Sequence, residues 1–386
     1  MGTGHNFQTT RSAALFVGLA ILLMLTTCRS ALGKSADYRP WWALQRCFDR
    51  ADTDWAFPLV SVEKFGEDIV TNCAGYKTVD VEKGRLVPLL CEGLDQIYSI
   101  CDDRKGGQYY LGSSAGKVLL RCKSQSGWSD IALPAAVEAN PQLWKIAAGD
   151  GDIALAAADC WWFKHGSKWR CIEVLKDELY WCKLILKKGK LYAASDRDPW
   201  SGCLFEFDGK TGKRKLIYCD DYGAVTDLKL APDGKLYFVC GSCHVYTGAG
   251  SLHYYDGTVH DISTIAGVRR NCGLLYSGEW FPRLAHNWPL EPTCFAGLGL
   301  EKDGSIVVAS DEYGLLRYAK KHWTILTKDW PEKASIPICG LEQTAAGTVV
   351  IPVNYRGVIL YDQKTGAYRF ILPGCSFPAS SYLQRL

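Results

Sequence analysis

A four-stranded unit that recurs at nearly constant spacing constrains this chain more than anything else in it. Its clearest copy is residues 295–326, FAGLGLEKDGSIVVASDEYGLLRYAKKHWTIL. The copy reads as an apolar run, a turn at Asp303-Gly304, a second run over 305–310, a polar corner, and short runs over 314–318 and 322–326. β-Branched and aromatic runs broken by Asp-Gly and Gly mark an antiparallel meander. One such meander leaves both faces uncovered, so it must stack against copies of itself.

The copies are present. Equivalent turns precede similar runs at Glu67-Asp68, Gly107, Gly151, Gly189, Asp233-Gly234, Asp303-Gly304 and Gly347, with spacings of 40, 44, 38, 45, 70 and 43 residues. A propeller blade takes roughly 40–50 residues. The chain is therefore expected to be all-β, a seven-bladed β-propeller of four-stranded antiparallel blades over residues 34–386. The interval of 70 is a blade plus an insertion at 267–293, which leaves room for an eighth, degenerate blade. Residues 34–56, with Trp41-Trp42, are expected to form a lead-in that helps close the ring.

Two units share a finer pattern, EKDGSIVVASDEYGLLRYAKKHWTIL and QTAAGTVVIPVNYRGVILYDQKTGAYRFI, and Asp233-Gly234-Lys235-Leu236 with Tyr255-Asp256-Gly257 is a looser third. The pattern, D-x-x-G-x-[LI], a polar corner, then G-[LIV]-x-x-Y-[DA], resembles the propeller repeats of two-component-regulator sensor proteins. That resemblance covers about half of the chain by motif and the rest by period. It implies a propeller and, by analogy, an exported ligand-binding module. In that family a membrane span and a signalling domain usually follow the propeller; the sequence here ends at Leu386, so direct signalling is not expected of it.

The N-terminus points the same way. Arg11 precedes an apolar run over 13–25, short for a bilayer span and of signal-peptide length. Ala31-Leu32-Gly33 supplies the small residues a signal peptidase reads, so residues 1–33 are expected to be a signal peptide. Leu25-Thr26-Thr27-Cys28 resembles a lipoprotein box with Thr27 where Gly or Ala is usual, which keeps lipidation at Cys28 open. The expectation is a secreted or periplasmic protein, monomeric, with no membrane contact unless it is lipidated. Removing 1–33 lowers the formal charge from +3 to +1, with no basic run, so there is no electrostatic footprint for nucleic acid. Of the 17 Cys, 16 follow Cys28, and in an exported chain they read as disulfides whose pairing spacing cannot give.

Function was sought in the polar corners between second and third strands, since loops on a rigid scaffold carry binding residues. They supply Trp162 and His165, Arg197, Asp198 and Trp200, His244 and Tyr246, Glu312 and Tyr313, and Tyr355 and Arg356; the insertion adds His286. Aromatic faces stack on sugar rings and Arg grips carboxylate or sulfate, so an extracellular glycan, or another small ligand, is the expected partner. Asp and Asn at tight corners also bond their own backbone, which is the structural alternative for each. The enzymatic alternative is a polysaccharide lyase cleaving uronate-containing chains by β-elimination. There Arg197 or Arg356 would neutralise the carboxylate, His244 or His165 act as base, and Tyr313 or Tyr355 as acid. A second alternative is covalent haem c at Cys240-Gly241-Ser242-Cys243-His244, a C-x-x-C-H motif, although it leaves a β run and both Met residues lie in the leader. No metal-type Cys/His spacing occurs, so no cofactor is expected, with Ca²⁺ in the central channel left open.

Overall fold

The computed structural model describes residues 61–72, 75–138, 145–156, 160–173, 180–198, 201–220, 224–244, 247–268, 293–310, 313–327, 340–353, 357–372 and 375–378. All fall within the compact unit formed by residues 56–380. They form seven antiparallel meanders, one per blade, over 62–88, 96–131, 145–173, 180–220, 224–268, 295–325 and 342–378. Blades 1 to 6 have four strands each. Blade 7 has five, because Cys375–Pro378 adds to the outer edge of Tyr368–Leu372. A single helical turn, Ala135–Glu138, is the helix among the described residues, and none there is long and apolar enough to cross a membrane.

The glycine-marked turns all fall in the hairpin between first and second strands. Gly151, Gly189, Gly234, Gly304 and Gly347 hold φ between 71° and 93°, the left-handed region open to glycine without Cβ strain. The first strands of successive blades lie side by side around the axis, and that of blade 1, Val62–Phe65, meets the first two strands of blade 7. Each blade interface encloses one apolar cluster, and the seven clusters complete the circle. At the closure Val62, Ile69 and Val79 pack on Val350, Val358, Leu360 and Ile371. Blade 5 packs directly on blade 6 through Val239, Leu252, Phe295 and Leu298, so no eighth blade stands between them. The expected lead-in, 34–56, and insertion residues 269–292 lie outside the described residues.

Sandwiching explains the strand sequences. Second strands such as Ile306–Ser310 are buried throughout because neighbouring blades cover both sheet faces, so they read as unbroken apolar runs. The outermost strand, His322–Ile325, is largely exposed, with Trp323 half-buried against the cluster between blades 5 and 6. Two glycines permit close approaches between successive blades. A Cβ on Gly202 would stand 2.4 Å from the Val225 amide nitrogen, and one on Gly241 would stand 2.1 Å from the Phe295 carbonyl oxygen. In both, one blade presses on the first strand of the next.

The two ends of the ring differ. At the end of the first hairpins, short turns are stitched to their neighbours. The Gly66 amide donates to Asp102 at 3.0 Å, Lys105 pairs with Asp150 at 3.4 Å, and the Lys188 amide donates to Asp150 at 2.9 Å. Lys187 donates to the Gly234 carbonyl, and Gln343 donates to Glu301 at 3.4 Å. The opposite end is where second strands give way to third and where each blade leads into the next.

Candidate functional site

Several residues singled out in the sequence fall at the loop-bearing end. Arg197 and Asp198 close the second strand of blade 4, Lys190–Asp198, and His244 closes that of blade 5, Leu236–His244. Tyr313 stands just before the third strand of blade 6, Gly314–Ala319; its amide donates to Ser310 at 3.2 Å and its carbonyl accepts from Thr327. Trp200, Tyr246, His286, Glu312, Tyr355 and Arg356 lie outside the described residues.

Two others are not corner residues at all. Cys160–His165 is the third strand of blade 3, and Trp162 within it packs, half-buried, into the cluster between blades 2 and 3. At roughly 3.3 Å per residue the strand carries His165 away from the corner to the stitched end. There its Nδ1 lies 2.7 Å from Asp152 Oδ1. The C-x-x-C-H segment is likewise strand: Cys240 pairs with Ser251, Cys243 with Gly248 and His244 with Thr247, and Cys240 is buried.

Along the axis the structure assembles a group the sequence did not single out. First strands of five blades bring Glu63, Lys145, Lys183, Asp227, Lys229 and Glu342 toward the axis. Lys183 of blade 4 lies 3.1 Å from Asp227 of blade 5. Asp227 has no exposed surface; it accepts from the Leu228 amide at 2.8 Å and from the Leu298 amide of blade 6 at 2.9 Å. Lys229 pairs with Glu342, spanning blade 5 to blade 7 past the blade between them. Asp227 and Lys229 share a face because alternate residues of a strand do.

The electrostatics follow from this crowding. Burial works against the Lys183 ammonium, but Asp227, Glu342 and Glu63 outweigh it and raise its pKa, so it stays charged. Glu63 is half-buried and makes no ion pair among the described residues. Burial pushes its carboxyl above the usual range, opposed by Lys183 and Lys145. The group thus sets three lysines, Lys145, Lys183 and Lys229, against three carboxyl groups, of which Glu63 is held above its usual value by burial.

A raised carboxyl pKa makes folding cost more as the group ionises. Glu63 therefore weighs nothing on stability below about pH 4.5, and stability falls as pH rises from there through its folded value. The turn acids Asp150, Asp208 and Asp233 have the opposite sign. Each is held below its usual value, first by a backbone amide (of Lys188, Thr211 and Lys235), so their contribution is lost only as pH falls through those depressed values. Glu63→Gln is expected to raise stability at neutral pH and to flatten this alkaline-side slope in urea denaturation midpoints measured across pH. An unchanged slope would show that Glu63 titrates normally.

No family model matches the chain, and no curated relative does. Solved structures similar to it include the extracellular domain of a hybrid two-component system from B. thetaiotaomicron, at 12% identity and TM-score 0.46 over 80% of this chain and 38% of that one. Puromycin hydrolase (S511A mutant) matches at 14% identity and TM-score 0.43 over 70% and 45%. YCF48 bound to a peptide matches at 12% and 0.47 over 78% and 93%. The chain thus spans less than half the length of the first two.

Proposed function

We propose that this chain is an exported ligand-binding propeller that takes a carboxylate-bearing glycan at its loop-bearing end. The observation that carries this reading is the axial group of Lys145, Lys183 and Lys229, of which Lys145 opens its strand at that end. An ammonium in a partly dehydrated setting binds a carboxylate more strongly than it would in water. In this reading the corner residues Arg197, Asp198, Trp200, His244, Tyr246, Tyr313, Tyr355 and Arg356 contribute stacking faces and a guanidinium to the ligand. The apolar run 13–25 behind Arg11 supports export, and export in turn supports cross-linking of the cysteines.

The test is a glycan array probed with the protein and with Lys145→Ala. Lys145 opens the first strand of blade 3, at the mouth. Binding should favour uronate- or otherwise carboxylate-bearing chains over neutral ones, and Lys145→Ala should weaken it about tenfold with circular dichroism unchanged. Equal binding of neutral and carboxylated glycans, or no effect of the variant, would remove the reading. Unsaturated product appearing in the bound fraction would make the site a lyase instead.

A further inference from the structure

We propose that Cys203 and Cys219 form a cross-strand disulfide that braces the loop-bearing end of blade 4. The inference rests on strand pairing and is independent of the ligand reading. Cys203 lies in the third strand, Ser201–Asp208, and Cys219 in the fourth, Arg214–Asp220; the two face each other in the ladder. Directly paired antiparallel residues hold their Cα atoms roughly 4.5–5.5 Å apart. That is inside the range of about 4.4–6.8 Å that a disulfide bridges. Their sulfurs are 2.8 Å apart, so little adjustment separates them from a bond. The ladder shifts register next to the pair, at Leu204/Phe205, which gives the backbone local slack.

The same criterion rejects another candidate. Cys101 and Cys122 both pair with Tyr109, from opposite sides. A whole strand stands between them, so their Cα atoms are roughly 9–10 Å apart, beyond bridging distance.

Exposure sets the order of events. Cys219 is exposed and Cys203 is buried, so an oxidant meets Cys219 first. With a small-molecule disulfide as oxidant, the Cys219 thiolate attacks one of its sulfurs and expels a thiolate, leaving a mixed disulfide. The Cys203 thiolate then attacks Cys219 Sγ and expels the second thiolate. Two protein thiols are oxidised, the reagent disulfide is reduced to two thiols, and the two protons released by the cysteines go to those leaving groups.

The position gives the bond a purpose. Cys203 follows corner 199–200 and Cys219 precedes connection 221–223, both at the loop-bearing end. The fourth strand is the outermost of the blade, with Leu216 half exposed at 52%, and such an edge opens first. A covalent tie there holds the frame on which Asp198 and the adjoining loops sit.

The test is peptide mapping of the full chain, folded and incubated with oxidised glutathione, its remaining thiols then alkylated under denaturing conditions. The expected result is a linked peptide pair joining positions 203 and 219, absent from Cys219→Ser, in which Cys203 is alkylated. Reduction should lower the melting temperature of the parent protein by roughly 5 °C and leave that of Cys219→Ser unmoved. Alkylation of both residues in the oxidised, folded protein would overturn the proposal, as would a link from either to a different cysteine. The map of the parent protein decides this even if the variant does not fold.

Discussion

Asp227→Ala is expected to cost about 3–5 kcal/mol, the range for removing one partner of a buried, hydrogen-bonded ion pair. The carboxylate is fully buried and serves three blades at once. It faces Lys183 of blade 4 at 3.1 Å, accepts from Leu228 of its own strand, and accepts from the Leu298 amide of blade 6. Alanine would leave a buried amide without its acceptor and an ammonium, 21% exposed, without its charge partner. Asp227→Asn should cost less, since its amide oxygen can still accept from one of the two amides while the charge is lost. Adding Lys183→Met to Asp227→Ala should recover part of the loss, because the stranded charge is what makes the single variant expensive. Urea denaturation of the three variants measures this; a cost below about 1 kcal/mol for Asp227→Ala would mean that the pair does not hold the ring.

The second large effect lies in the apolar cluster between blades 3 and 4. Trp161 is 1% exposed and its ring centroid lies 4.2 Å from that of Phe207 in the next blade. Ala147, Leu186, Leu191 and Phe205 complete its surroundings. Trp161→Ala should cost about 3–5 kcal/mol, from lost transfer free energy and from a cavity that paired sheets cannot collapse to fill. Trp161→Phe should lose less, because it keeps an aromatic ring against Phe207. Thermal denaturation followed by near-ultraviolet circular dichroism reads both. Equal costs for the two would show that ring size does not matter at this interface.

These two sites divide the work of closing the ring. Apolar clusters join each blade to its neighbours by burial, at roughly 25 cal/mol for every Å² of apolar surface withdrawn from water. That attraction has no direction and would tolerate some sliding. The axial hydrogen bonds do have direction, and Lys229 with Glu342 links blades that do not touch as neighbours. Charged side chains near an axis, where sheets cannot interdigitate, are therefore suited to setting how the first strands lie relative to one another.

The blade pattern was legible because its causes are local. The turn after Glu301 needs glycine at Gly304 for its positive φ, and the runs on either side alternate or stay apolar according to burial. The four strands read from 295–326 match Phe295–Leu300, Ile306–Ser310, Gly314–Ala319 and His322–Ile325 to within a residue or two at their ends. Local signals misled at 160–165, where bulky aromatic and basic residues look like a corner. No turn residue interrupts them, and the segment continues as strand with Trp161 and Phe163 turned to one core and Trp162 to another.

Turn chemistry and period, then, were enough for this chain to announce seven meanders and the ring they must close, since a half-covered sheet has one way to hide its faces. Which charged residues would meet was decided by closure alone. Lys229 and Glu342 are 113 positions apart, and nothing along the chain relates them until six intervening hairpins and two inter-blade connections have been wound into a circle. Side-chain convergence on an axis is a property of the closed ring, and a linear spacing does not contain it.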